Sequence, residues 1–447
     1  MSADDALTLL SDLIAKAKAA GADAADALLF DQSSLSVAFR LGRPEKVERS
    51  EAGDVGLRVL IGHHQAFVSS SDRSGAALAD LVDRAVAMAR TVPEDPFCGL
   101  ADPDQLARDL PVLDICDPVE PEADLLVERA RRAEDAARAV SGVTNSEGAE
   151  AGWGRYFVAL VASNGFAHSY DGSSSHISAS VLAGDAGTGM ERDYDFTSAV
   201  YGADLRLPEE VGREAGLRAV RRLGARKART ARLPIVFDPR VSHTLLGHFA
   251  GAINGGSIAR GTSFLKDSLG RQVFADGITV IDDPHRARGL RSKPCDGEGV
   301  ANRRRALVDK GALTSWLLDL RSARQLGLQT TGHASRGVGG PPSPSVTNLW
   351  MEPGAITPAE MISDIPEGLY VTELFGMGVN GVTGDYSRGA AGFWIQGGEL
   401  THPVNEITVA GNLKDMFRYL TPANDLVFRY GTDAPTIRVD GMTIAGA

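Results

Sequence analysis

Cysteine is scarce in this 447-residue chain: Cys98, Cys116 and Cys295 stand far apart, with no CxxC spacing. An odd, scattered set excludes a disulfide framework and a four-thiolate metal knot, and it fits a reducing compartment. Long apolar runs are lacking as well. No window of 18 or more apolar residues exists, so no membrane-spanning helix is expected. The opening stretch MSADDALTLLSDLIAKAKAAG has no basic segment ahead of an apolar core and does not read as a signal peptide. Positive charge is in deficit, with a formal net charge of −12. That balance excludes a general duplex-binding surface, which needs a concentrated basic face. The one basic run, RAVRRLGARKART (218–230), reads at helical spacing as a solvated face. GxxxxGK[ST], a strand–GxGxxG–helix unit and a GxSxG elbow are all missing, so neither a nucleotide loop nor a serine hydrolase is indicated. A protein of the cytoplasm, with no membrane or direct nucleic-acid partner, is the expectation.

What the chain does have is 43% hydrophobic residues, enough to fill real cores. Leu9, Leu10, Leu13, Ile14 and Ala17 recur at helical spacing before Gly21. Period-two alternation follows at Leu35, Val37, Phe39 and Leu41, and residues 56–71 read as two strands turning near Gly62. A second helix over 75–92 ends at Pro93, and proline-rich 93–122 reads as a long crossing segment. The order then repeats: a helix over 122–140, strand-like runs at 156–163 and 176–184, and a helix over 208–225. Helices grouped around hairpins favour an α+β fold with antiparallel sheet over a doubly wound one. We expect an N-terminal α+β domain (1–228) made of two helix–strands–helix halves. A β-rich C-terminal domain (229–447), dense in glycine turns, would follow, with one helix beginning after Asp238-Pro239.

That helix carries HTLLGH, with His243 and His248 as its ends. In a zinc HExxH helix the histidines at i and i+4 lie about 40° apart around the axis and reach one ion. Five residues apart they lie about 140° apart and converge only if the helix is locally widened. The residue after His243 is Thr244, which cannot act as the base of a water attack at neutral pH. The following residues 249–264 offer no Cys, His, Asp or Glu as a third ligand. Taken alone, the pair reads as packing histidines, with metal binding as the alternative.

The surroundings add to this. HTLLGHFAGAINGGSIARGTSFLKDSLGRQVFADGITVIDDP (243–284), TTGHASRGVGGPPSPSVTNLWM (330–351), ELFGMGVNGVTGDYSRGAAGFWIQGGELTHPVNEITVAGNL (373–413), IRVDGMTIAGA (437–447) and GRPEKVERSEAGDVGLRVLIG (42–62) together resemble the TldD/PmbA family over essentially the whole chain. The block 373–413 looks like the PmbA (TldE) branch. In the catalytic TldD branch this place holds a HExxxH zinc motif, with a late cysteine as third ligand. Here the glutamate position is Thr244, and no cysteine follows Phe417. The resemblance implies a degenerate metal motif (His243, Thr244, His248), no catalytic residue and no cofactor in this chain, and zinc in a TldD-like partner. It implies a heterodimer cleaving unfolded peptides in the cytoplasm, with a homodimer open to the isolated chain. A self-sufficient metallopeptidase using His243 and His248, and a non-enzymatic interaction protein of the gyrase-modulator type, are the alternatives.

A partner subunit could still hold peptide, for instance by strand addition to a sheet edge. Tyr386, Arg388, Phe393 and Trp394 in DYSRGAAGFW are candidate contacts, as are His333 and Arg336 beside the stiff PPSPS loop (341–345). The competing reading places Phe393 and Trp394 in a core strand.

Overall fold

Ser2 opens the first helix, α1 (Ala3–Ala19), through a capping box with Asp5, and the buried stripe Ala6, Leu10, Leu13, Ile14 and Ala17 follows the spacing seen in the sequence. The structure, a computed structural model, describes residues 1–185, 187 and 189–446. Next come β1 (Ala24–Arg40), β2 (Arg43–Ile61), β3 (His64–Ser70), α2 (Gly75–Ala89), α3 (Ala123–Arg138), β4 (Val143–Ala162), β5 (Ala167–Asp185), β6 (Gly189–Ala199) and α4 (Pro208–Arg221). The strands form one antiparallel sheet in the order β3-β2-β1-β4-β5-β6. The repeated order is therefore two meanders fused at the β1–β4 pair.

Side-chain alternation decides what each face covers. On β1, Ala25, Ala27 and Leu29 pack with α1 and α2, and Leu35, Val37 and Phe39 pack with α3 and α4. These are all odd positions, so both helix pairs lie side by side on the same face. Helix α4 comes close to α3 because Gly212 has no side chain: a Cβ there would sit 1.9 Å from the Ala133 carbonyl oxygen. The even positions Leu28 and Leu160 face the other way and pack with Phe166 and Cys295, joined by Leu100 and Leu106 of the crossing segment. That segment thus runs along the seam between the two halves of the molecule.

The C-terminal half begins with β7 (Ala231–Phe237) and α5 (Pro239–Ala252), the helix expected after Asp238-Pro239. Strands Glu399–Asn412, Asp385–Gln396, Glu367–Phe375, β7 and Ile437–Ala445 pair in that order. Thr408–Ala410 then pairs with Thr443–Ala445 and closes the ring into a five-stranded barrel. Its β7–Glu367–Phe375 pair is parallel, so this half is not purely antiparallel. A smaller sheet around Val280–Asp283, Arg305–Asp309 and Asn348–Met351 flanks it. Gly255–Ala259, Leu320–Leu326, Pro358–Ser363 and Leu413–Arg418 are further short helices that the dense turn signals hid. No helix among the described residues is long and apolar enough to cross a membrane.

Charges knit the halves together. In the run 218–230, Arg221, Arg226, Lys227 and Arg229 are exposed, as the spacing suggested, but Arg218 and Arg222 turn inward. Arg218 donates to Asp195 at 2.8 Å, and Arg222 pairs with Glu373 of the barrel while lying 3.4 Å from Glu191. Arg240 of α5 reaches back to Asp193 on β6 at 2.7 Å. At the other end of the seam, Arg336 bonds Asp26 on β1, whose second oxygen accepts from Arg58 Nε at 2.7 Å. Close by, burial pushes the carboxyl of Glu298 up to about 8, with the neighbouring Asp296 adding to the effect. The unfolded value is about 4.3. Between these two values the folded state therefore holds more protons than the unfolded one and loses stability as pH rises. Glu298→Gln is expected to flatten that dependence. At pH 8 it should raise the unfolding free energy by at least about 1 kcal/mol, since a tenfold change in proton affinity corresponds to about 1.4 kcal/mol. Denaturant titrations at pH 5 and pH 8 check this; equal effects at both would show that Glu298 is not the titrating group.

Candidate functional site

Asp238 starts α5 by accepting the Arg240 N–H at 2.9 Å, with Pro239 at the first position, where no N–H is needed. Val241, Leu245, Leu246 and Phe249 bury the helix against the barrel, and Ser242 Oγ bonds the carbonyl of Pro435 at 2.8 Å. The helix is regular α throughout, without the widening that would turn His243 and His248 toward a common point.

The two imidazoles have separate surroundings. His243 stacks on Tyr430, with ring centres 4.2 Å apart, and its Nδ1 lies 3.4 Å from the Pro239 carbonyl. Tyr430 is held there by Asp433, which accepts the N–H groups of Arg429, Tyr430 and Gly431. His248 meets Tyr386 edge-on at 5.9 Å. Thr244 donates its hydroxyl to the Val241 carbonyl at 2.6 Å, a bond within its own helix. Among the described residues no three His, Cys, Asp or Glu side chains lie together as a metal would require. On this regular helix the two imidazoles of HTLLGH do not converge on one point.

Burial lowers the proton affinity of both histidines. For His248 the charge of Arg388 adds to it, bringing the value down to about 4, so the ring is neutral at pH 7. Burial pushes the Tyr386 phenol up to about 12, against a smaller opposing effect of Arg388. His248 Nε2 and Arg388 Nε are buried without hydrogen-bond partners among the described residues, and the Tyr386 phenol faces the Arg388 guanidinium.

The remaining candidates separate. Trp394 sits in the barrel core and stacks with His402. Phe393, on the opposite face of the same strand, lies under the guanidinium of Arg221 at 5.1 Å, in a cleft of about 460 Å³ between α4 and the barrel. His333 is buried, with Nδ1 2.8 Å from Thr331 Oγ1 and Nε2 3.4 Å from Asp282. Its carbonyl accepts from Ser345, so it braces the PPSPS loop from inside rather than meeting a peptide. Arg336 is equally buried. Strand addition at Asp385–Gln396 is also ruled out, because that strand is bonded on both sides within the closed barrel. Tyr430 and Asp433 join the site unannounced, since nothing in RYGTD (429–433) signals that the turn comes back to His243.

Known proteins share this architecture along the whole chain. Family models of the PmbA/TldA metallopeptidases match at residues 25–89 (domain 1), 116–223 (central domain) and 230–446 (C-terminal domain). The chain is 40% identical to the metalloprotease PmbA of Escherichia coli O157:H7, over 95% of this chain and 92% of that protein. It is 37% identical to a PmbA homologue of Haemophilus influenzae, over 93% and 90%. Among solved structures, a Bacteroides thetaiotaomicron protein described as a candidate modulator of DNA gyrase superposes with a TM-score of 0.92 at 26% identity, covering all of both chains. TldE from Thermococcus kodakarensis has the same fold, with a TM-score of 0.88 at 19% identity, covering 98% of this chain and 100% of its own.

Proposed function

This chain belongs to the TldD/PmbA family of metallopeptidases, and we propose that within it the chain is the PmbA/TldE-type subunit that lacks the zinc site. In this reading it pairs with a TldD-like zinc subunit, and the pair cleaves unfolded peptides in the cytoplasm. The observation that carries the reading is the divergence of His243 and His248 on a regular helix, with Thr244 where a catalytic glutamate would be needed. Its own contribution is to wall the shared chamber, with the partly exposed His248 and Arg388 as contacts to substrate.

Elemental mass spectrometry of the untagged chain, purified without chelator, is expected to find near-zero zinc. Unfolded casein should survive the chain alone and be cleaved when a subunit with an intact HExxxH motif is added. His243→Ala should leave that mixed activity within about tenfold, equivalent to about 1.4 kcal/mol. About one zinc per chain, removed by His248→Ala, would instead make the chain a metallopeptidase in its own right. No cleavage in the mixture would favour a pure interaction protein.

A further inference from the structure

A cavity of about 360 Å³ lies between the even-numbered face of the N-terminal sheet and the loops 293–297 and 335–338, away from HTLLGH. At about 30 Å³ per water it holds on the order of a dozen water volumes, a size common for small-molecule pockets. One wall is apolar: Leu28 and Phe30 from β1, Val158 and Leu160 from β4, and Phe166 between β4 and β5.

The opposite wall carries Arg336. Its side chain is 1% exposed, and its Nη1 bonds Asp26. Its Nε and Nη2 have no partners among the described residues. These two atoms share one edge of the guanidinium, the edge whose parallel N–H groups match the two oxygens of a carboxylate. Charge favours the same ligand. Asp26 pairs with the guanidiniums of both Arg336 and Arg58. Burial favours the neutral forms of Glu298 and His168. Two guanidiniums thus share the Asp26 carboxylate beside this cavity, in a place where an incompletely paired charge is costly.

We propose that this cavity is a binding site for an apolar carboxylate, with its hydrocarbon or aryl body against the β1–β4 wall and its carboxylate bidentate on Nε and Nη2 of Arg336. Such a group is carried by a free aryl or alkyl acid or by the C-terminal residue of a peptide. The site stands whether or not the chain serves in a peptidase.

Isothermal titration of the full chain with 4-phenylbutyrate, N-acetylphenylalanine and the primary amide of each tests this. At least one acid is expected to bind one per chain, at least tenfold more tightly than its own amide. Preference for 4-phenylbutyrate identifies a free acid as the source, and preference for N-acetylphenylalanine identifies a peptide C-terminus. Val158→Trp fills the cavity from the sheet side without touching the Arg336–Asp26 pair, and with circular dichroism unchanged it should weaken binding at least tenfold. Arg336→Lys keeps a cation beside Asp26, removes the fork and should abolish the preference for acid over amide; if it does not fold, Val158→Trp carries the test. No binding of either acid at millimolar concentration, equal binding of acid and amide, or binding unaffected by Val158→Trp would each overturn the proposal.

Discussion

Asp26→Ala is expected to destabilise the protein by about 3–5 kcal/mol, the loss that follows when one partner of a buried charge network is removed and the others stay behind. Asp26 is 2% exposed, and both its oxygens are engaged, one by Arg58 and one by Arg336. Without it, two guanidiniums face each other across the interdomain seam. Burial by itself would favour the protonated acid, but the two arginines outweigh it and hold the carboxyl below its ordinary range. The stability this group contributes is therefore complete above the unfolded value near pH 3.9 and is lost as pH falls through the depressed folded value. Chemical denaturation at pH 7 and pH 3 measures both effects. The exposed Arg84–Asp80 pair is the control: Asp80→Ala should change stability by no more than about 1 kcal/mol. A loss at Asp26 as small as at Asp80 would mean that water reaches the seam.

Phe417→Ala should cost about 3–5 kcal/mol, the range for truncating a buried aromatic side chain. Phe417 has no exposed surface and stacks on Phe274 with centres 4.6 Å apart, while Phe249 of α5 meets it edge-on at 6.1 Å. Each such pair adds roughly 0.5–1.5 kcal/mol beyond area burial. Because Phe249 lies one residue beyond His248, the lost support should also be felt at the candidate site. Thermal unfolding gives the energy, and near-ultraviolet circular dichroism reports the ordering of the aromatic side chains as a whole. Phe417→Leu should recover most of the stability. If Ala is tolerated within about 1 kcal/mol, the cluster collapses around the gap.

Much of the N-terminal half is legible in the sequence because its signals are local. The stripe of α1, the turn at Gly62 and the alternation of β1 each need only neighbouring residues to be seen. That both helix pairs share one face is not legible, since it depends on β1 pairing with β4. The barrel is hidden for the same reason: its closure rests on three residue pairs between Thr408–Ala410 and Thr443–Ala445. At the site, the divergence of the two histidines follows from helical geometry and their spacing alone. Their neighbours do not, because Tyr430 reaches His243 from nearly two hundred residues away along the chain. Within the basic run 218–230, Arg218 and Arg222 depart from expectation because spacing reports which face a charge occupies and not which carboxylates other elements bring to it.

The fusion of two meanders at β1–β4 also fixes an order of events during synthesis. β1, β2 and β3 can pair as soon as they emerge, and β4, β5 and β6 can do so later, since each turn is short. The central pair joins Phe39 to Ala149 and Asp26 to Ala162, partners more than a hundred residues apart. Closing so long a loop is entropically expensive and slow compared with hairpin formation. Until β4 arrives, β1 offers an open edge along its whole length, the kind of surface on which nascent chains aggregate. The seam that later confines Asp26 and Arg336 is thus assembled last.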